Sequence, residues 1–131
     1  MGGEKRAISE FTLEQAHKVY IGAKLLYDNN LFSQSINRSY YSIFHTVKAL
    51  LAYEKKDSQK HSGVIFLFYD IFIKTDKIEK EYNRILVTAE KIRIDTDYKT
   101  FYLVSKEETK TQLDNSLIFY ERIKNILKKI I

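Results

Sequence analysis

The sequence predicts an all-α fold, an up-and-down bundle of four to five antiparallel helices. The chain of 131 residues contains no proline and four glycines. Apolar residues recur at intervals of three and four along most of it, which is typical of amphipathic helices. The connections between the predicted helices are short, and short connections favour antiparallel neighbours. The length fits one domain, residues 1–131, in which we expect residues 1–10 to be flexible.

The first two helices are predicted from their start signals and from the apolar spacing behind each signal. Thr12 and Gln15 form a capping box, so we expect the first helix to begin at Thr12. It should end at the polar residues 28–30, which are Asp-Asn-Asn. Ser33 is the expected N-cap of the second helix, which continues to about Tyr53.

The third predicted helix is ambiguous. Residues 64–69 combine β-branched and aromatic side chains without a clear period, which alone is compatible with a buried strand. Nothing else in the chain has a β pattern that would pair with it, so we interpret it as a helix buried on several sides. Ser105 and Glu108 form a second capping box at the start of the last helix. The expected bounds are about 61–74 for the third helix, 76–94 for the fourth and 105–130 for the fifth.

The composition excludes several classes of site. There is no cysteine, which excludes disulfides, cysteine-ligated zinc, iron–sulfur clusters and thiol catalysis. The longest apolar run is far shorter than the roughly 20 residues of a membrane span, and the N-terminus lacks the apolar stretch of a signal peptide. We therefore expect a soluble, cytoplasmic protein. The 22 Lys and Arg exceed the 17 Asp and Glu, and the net charge of +5 suits an anionic partner such as RNA or a nucleotide.

One face of the second helix lacks the Lys and Glu residues that a plain solvent face would carry. At about 100° per residue, Arg38, Tyr41 and His45 lie on this side, opposite the apolar stripe. Arg binds phosphate oxygens with a permanent charge, and His can take and give a proton near neutral pH. The alternative is a hydrogen-bonded pair in a contact face, for example with an identical subunit, since small residues on this side let another surface approach. The small residues are Ser42, Ala49 and Ala52.

Three separated segments resemble HEPN domains, the higher eukaryote and prokaryote nucleotide-binding family. Residues 37–45, followed by 48–51, resemble the second helix of these domains. Residues 60–64, at the start of the third helix, and 93–98, at the end of the fourth, resemble the branch of small prokaryotic HEPN proteins. The order and spacing of the segments match over about residues 12–127, which is nearly the whole chain.

The resemblance implies a helical bundle that usually dimerises, and many members are ribonucleases of toxin–antitoxin and other defence systems. Their signature is an Arg followed, after four to six residues, by a His; six residues separate Arg38 from His45. In active members two such motifs meet across a dimer, which agrees with a homodimer through this face of the second helix. The implied reaction needs no metal or other cofactor. The RNA 2′-hydroxyl attacks the adjacent phosphate and leaves a 2′,3′-cyclic phosphate and a 5′-hydroxyl.

The resemblance also implies roles for residues of the second helix. His45 is the expected general acid and base, and Arg38 is the expected clamp on the developing negative charge. Tyr41 and Asn37 are expected to position the phosphate or His45. In one toxin branch a partner nucleotidyltransferase modifies a Tyr two positions after the His. Val47 stands at that position, so this chain departs from that pattern.

Two other polar groups are less specific. Lys60 and His61 start the third helix, where backbone N–H groups can bind an anion; the alternative, which we favour, is an ordinary polar helix start. We likewise interpret residues 93–98 as a salt-bridge cluster that closes the fourth helix, with lining of the cleft as the alternative. Asp95 and Asp97 have no third ligand nearby in sequence, so we expect no metal site.

Three functions are compatible with these features. The first is a metal-independent HEPN endoribonuclease, a toxin or defence component that cleaves RNA, with a nucleotidyltransferase as its antitoxin. The second is a non-catalytic module that binds a nucleotide or docks a nucleotidyltransferase. The third is a plain helical dimer used as a scaffold. The spacing of Arg38 and His45 favours the first.

Overall fold

The computed structural model describes residues 2–99 and 101–130, and this part of the chain is all-α, without strands. The all-α prediction is therefore confirmed, and so is the helical interpretation of the ambiguous third segment. The elements are α1 (Gly2–Asp28), α2 (Phe32–Tyr53), α3 (His61–Phe68), a π-helical turn (Tyr69–Ile73), α4 (Lys80–Tyr98) and α5 (Lys106–Ile130). Because α2 contacts each of the other four α-helices, it lies at the centre of the bundle.

Two predicted helix starts were wrong. α1 begins at Gly2, and the Thr12 hydroxyl donates to the carbonyl of Ile8 over 2.8 Å inside the helix. A Thr can cap a helix or bond back to the preceding turn, so the capping-box pattern was ambiguous. α2 begins at Phe32, and Ser33 lies within it and does not cap it. The flexibility expected for residues 1–10 is not tested by their helical conformation and stays a prediction.

The third and fourth predicted helices have shifted ends. The segment predicted as one helix over 61–74 consists of α3 and the π-helical turn. α4 begins at Lys80 and not at Asp76, because Asp76 has a φ of 60° and a right-handed helix cannot include that left-handed conformation. α4 then continues to Tyr98, four residues beyond the expected end at 94.

The predicted cap of the last helix is confirmed in its first half. Ser105 Oγ accepts a hydrogen bond from the Glu108 backbone N–H over 2.9 Å. The Glu108 carboxylate accepts from the Tyr102 hydroxyl, also over 2.9 Å, and not from the backbone N–H of Ser105. The second half of the capping box is thus replaced by a contact that ties the preceding loop to α5.

The ends of α1 and α2 use a left-handed residue without glycine. Asn30 has a φ of 62° and Lys55 a φ of 57°. After each, the chain bonds back to the helix; for example, the Lys56 N–H donates to the Leu51 carbonyl over 2.9 Å. Asn tolerates this conformation, whereas Lys adopts it at a cost in free energy. The predicted break at residues 28–30 is confirmed.

Small residues hold α1 and α2 close together along their length. Three serine hydroxyls in this interface donate to backbone carbonyls of the facing helix, and all six residues involved are fully buried. Successive pairs step by seven residues in opposite directions along the two helices, which is the register of an antiparallel pair. The pairs are Ser9 with Ala49 (2.9 Å), Ser42 with Ala16 (2.9 Å) and Ser35 with Ala23 (2.8 Å).

This serine–alanine ladder corrects the sequence-based interpretation of the small residues on α2. Ser42 and Ala49 were expected in a face open to another subunit, but α1 of the same chain covers them. The reason is geometric, since only small side chains let two helices approach closely enough for a serine to reach the opposite backbone. Arg38, Tyr41 and His45 lie beside the ladder and remain half-buried.

The apolar core lies on the other side of α2. It is built from buried side chains of α2, α3, the π-helical turn, α4 and α5. No helix within residues 2–99 and 101–130 is long and apolar enough to cross a membrane. The central core residues include Ile43, Val47, Leu50, Val64, Phe68, Leu86, Phe119 and Ile123.

Candidate active site

The accessible stripe of α2 brings together Arg38, Tyr41 and His45, the three residues that the helical spacing placed on one face. The Arg38 guanidinium carbon lies 5.0 Å from the centroid of the Tyr41 ring. The Tyr41 and His45 rings are 6.4 Å apart between centroids. A cation, a phenol and an imidazole therefore form a continuous polar surface over two turns of the helix.

Arg38 is held by its neighbour Asn37. The Oδ1 atom of Asn37 accepts hydrogen bonds from Arg38 Nε at 3.0 Å and from Nη2 at 2.7 Å. A guanidinium has five N–H donors, so two are used to orient it and three can meet an anionic ligand. Asn37 was expected to position the phosphate or His45, and the structure places it on Arg38.

His45 lies in an environment that disfavours its charged form. Burial, together with the positive charges of Arg38 and Lys48, lowers the pKa of His45 from its ordinary value of 6.5. The imidazole is therefore neutral at pH 7 and can accept a proton. Within the described residues, no hydrogen bond occupies either ring nitrogen, so both nitrogens are open to a substrate.

His61, at the start of α3, joins this surface from the side of the core. A hydrogen bond of 2.9 Å links its Nδ1 atom to the Tyr40 hydroxyl, and burial raises the pKa of Tyr40, which keeps it a phenol. The His61 ring stacks on Phe44 at 4.3 Å and meets Tyr41 edge-on at 5.7 Å. Burial lowers the pKa of His61 as well.

Arg93 and Asp97 of α4 border the site and contact residues of α2. Arg93 Nη1 lies 3.5 Å from Asp97 Oδ2, and its guanidinium carbon is 4.8 Å from the Tyr40 ring centroid. Asp97 Oδ2 also accepts from Asn37 Nδ2 over 3.4 Å. These contacts connect Arg38, through Asn37 and Asp97, to Arg93, which sits against the ring that bonds His61.

The contacts of residues 93–98 combine the two alternative interpretations of this segment. The Arg93–Asp97 pair joins one turn of α4 to the next and also lines the site. Asp95 instead pairs with Lys99 over 3.4 Å, and Tyr98 is 76% exposed. Sequence reasoning placed Arg93 at the end of the fourth helix and Asp97 just beyond it. It had no signal for the contact of Asp97 with Asn37, which is sixty residues away.

The chain matches known proteins over the segment that contains this site. The family model described as HEPN domain matches residues 9–130. This chain belongs to the HEPN domain family. The HEPN match covers the whole site, from Asn37 on α2 to Asp97 on α4, and it confirms the family suggested by the three sequence segments.

Three curated relatives of this HEPN domain match over 80% or more of their own length. "Putative toxin MJ0605" of Methanocaldococcus jannaschii is 35% identical over 119 residues, which are 91% of this chain and 88% of the relative. "Putative toxin MJ0142" of the same organism is 33% identical over 118 residues, or 90% and 80%. A UPF0332 protein of Thermotoga maritima is 30% identical over 127 residues, or 97% and 96%.

Lys60 is the predicted site residue that the HEPN structure does not bring to the others. Its side chain is exposed and, within the described residues, shares no hydrogen bond, ion pair or cation–π contact with them. The Lys60 backbone N–H donates to Ser58 Oγ over 3.3 Å, and a side chain at Gly63 would collide with the same oxygen. Ser58 therefore covers the first turn of α3, where an anion was considered.

Proposed function

We propose that this HEPN domain is a metal-independent endoribonuclease that acts as a toxin or defence component. The observation that carries the proposal is the pairing of Arg38 with His45 on one accessible face of α2. Arg38 is oriented by two hydrogen bonds with donors to spare, and the pKa of His45 is lowered by burial and by positive neighbours. In phosphodiester cleavage by a 2′-hydroxyl, a fixed cation stabilises the charge on the phosphate and a neutral imidazole takes the proton of the hydroxyl.

In the proposed reaction, neutral His45 takes the proton of the RNA 2′-hydroxyl. The 2′-oxygen forms a bond to the adjacent phosphorus while the bond from phosphorus to the 5′-oxygen breaks, and the 5′-oxygen takes a proton from a protonated imidazole. The products are a 2′,3′-cyclic phosphate and a 5′-hydroxyl. Arg38 binds the non-bridging phosphate oxygens as their negative charge grows. DNA lacks the attacking hydroxyl and is not cleaved.

The reaction uses one neutral and one protonated imidazole at the same time, which favours a site made by two copies of the chain. We propose a homodimer that meets across Arg38, Tyr41 and His45, the part of the α2 face that α1 leaves uncovered. In that arrangement one His45 acts as the base and the second as the acid. Two half-buried histidines flanked by Arg38 and Lys48 would also help each other to hold different protonation states, because like charges repel.

The names of two relatives support a toxin role, since both Methanocaldococcus jannaschii proteins carry the word toxin in their names. A toxin of this type would be controlled by an antitoxin, and a nucleotidyltransferase is the partner that the family resemblance implies. Because Val47 has no hydroxyl to modify and is fully buried, modification two residues after His45 is not part of this proposal.

The test is cleavage of a mixed RNA pool in excess EDTA. We expect the unaltered protein to cut RNA to cyclic-phosphate ends and His45→Ala to lose that activity. His17→Ala is the matched control, because His17 packs against Tyr20 and Tyr120 and has no part in the site. Intact RNA with all three proteins would contradict the proposal and would leave a binding module for a nucleotide or a nucleotidyltransferase.

A further inference from the structure

A basic depression lies at the C-terminal end of α2, beyond His45. Its volume is about 480 Å³, and four lysines line it against two carboxylates. The walls come from the N-terminal part of α1, the last turns of α2 and the loop that follows. The lysines are Lys5, Lys48, Lys55 and Lys56. We call this depression the lysine basin.

Lys48 connects the lysine basin to the candidate active site. It follows His45 by three residues on α2, so the two side chains are neighbours on the helix surface. The Lys48 ammonium lies 5.9 Å from the centroid of the Phe44 ring, on which the His61 ring stacks, and its charge lowers the pKa of both His45 and His61. A ligand that contacts Lys48 in the basin is therefore adjacent to a ligand at His45.

The other basic groups of the basin are available to a ligand. Lys55 and Lys56 are exposed and have no ion pair within the described residues. Lys5 places its ammonium 4.5 Å from the Tyr53 ring centroid, a contact that leaves its N–H donors free. The Lys48 ammonium is the one in an ion pair, with Asp57. A concave wall concentrates the field of such charges, so the basin attracts an anion more strongly than scattered lysines would.

We propose that the lysine basin binds the RNA backbone at a phosphate next to the one that is cleaved. This inference rests on the proposed function, because it gives the same site a second contact with the same strand. A phosphate in the basin would fix the direction of the strand along α2 and hold the cleaved phosphate between Arg38 and His45. Lysine suits this task because a backbone phosphate needs a charge, not a particular orientation.

The test compares two double variants that each remove two positive charges. Lys55→Ala/Lys56→Ala removes the two exposed lysines of the lysine basin. Lys80→Ala/Arg84→Ala is the matched control, because these residues line another basic depression, of about 490 Å³, that shares no lining residue with the site. Circular dichroism and urea unfolding check that both variants fold.

Binding is measured with a 2′-O-methyl RNA, which lacks the attacking hydroxyl and stays intact. We expect Kd to rise about tenfold for Lys55→Ala/Lys56→Ala and the slope of log K against log salt to shrink by about 0.7–1.4, as for one or two lost phosphate contacts. Cleavage by this variant should show a raised KM with kcat little changed. The Lys80→Ala/Arg84→Ala variant should bind and cleave as the unaltered protein does.

The outcomes separate this inference from the proposed function. Equal weakening by both double variants would mean general charge attraction and would overturn the lysine basin as a site, and so would no weakening by either. If RNA is cleaved and only the basin variant binds weakly, both proposals stand. If no RNA is cleaved but the basin variant alone loses binding, the basin stands as an RNA contact while the ribonuclease proposal fails.

Discussion

The close packing of α1 on α2 at Ala16 leads to a quantitative prediction. The Ser42 hydroxyl donates to the Ala16 carbonyl over 2.9 Å, and both residues are fully buried. Ala16→Leu adds three carbon atoms where the two backbones leave no room. Overpacking of this kind costs about 1–3 kcal/mol, and separation of the helices would also break a hydrogen bond that contributes about 1 kcal/mol. We expect the free energy of unfolding to fall by about 2–4 kcal/mol.

Urea unfolding followed by circular dichroism measures this change, and two companion variants show its origin. Ser42→Ala removes the hydroxyl alone, so it should cost about 1 kcal/mol. Lys18→Leu introduces the same side chain on the exposed side of α1, where Lys18 pairs loosely with Glu14, and should change stability by less than about 0.5 kcal/mol. If Ala16→Leu is as stable as Lys18→Leu, the helices are not in close contact and the ladder argument fails.

Three further predictions concern the site and one helix end. Asn37→Ala frees the Arg38 guanidinium, so the rate of RNA cleavage should fall about 10- to 100-fold while the free energy of unfolding stays the same. A cleavage rate equal to that of the unaltered protein would show that Asn37 does not orient Arg38. Burial lowers the pKa of His45 from 6.5, so its contribution to stability is complete above pH 6.5 and is lost as pH falls through the folded-state pKa. His45→Gln should therefore flatten the decline of the free energy of unfolding below pH 6.5. Urea unfolding at a series of pH values measures this decline, and the same pH dependence in both proteins would contradict the prediction. Lys55→Gly should raise the free energy of unfolding by about 1 kcal/mol, because Lys55 has a φ of 57°; a loss would refute the strain.

Much of the fold was predictable because helix formation depends on local signals. Apolar spacing predicted five helices, and the polar residues 28–30 and Ser105 predicted an end and a start that the structure confirms. The wrong starts, at Thr12 and Ser33, have a shared cause. Both side chains can form hydrogen bonds either as a helix cap or from within a helix. Which of the two occurs depends on whether the preceding residues are themselves helical.

The site was predictable only along a single helix. A rotation of about 100° per residue placed Arg38, Tyr41 and His45 on one face, since their relative positions follow from helical geometry alone. The contacts of Arg93 and Asp97 with that face depend on how α4 packs on α2. The hydrogen bond from His61 to Tyr40 depends in the same way on the position of α3. Separation along the chain carries no information on such contacts, so residue type and spacing left these roles open.

The amino-acid sequence by itself determined the helices and the Arg38–His45 spacing, because both depend on neighbours within a few turns of chain, and the order of three separated segments carried the family resemblance. The tertiary structure decided which face of α2 stays open. The serine and alanine residues on that helix could equally have contacted a second subunit. In the structure they pack against α1 of the same chain, in an antiparallel register. That register leaves Arg38 and His45 accessible. The packing of α3 and α4 on α2 brings His61 against Tyr41 and Asp97 against Asn37, since only packing between distant segments sets the burial and charge around a side chain.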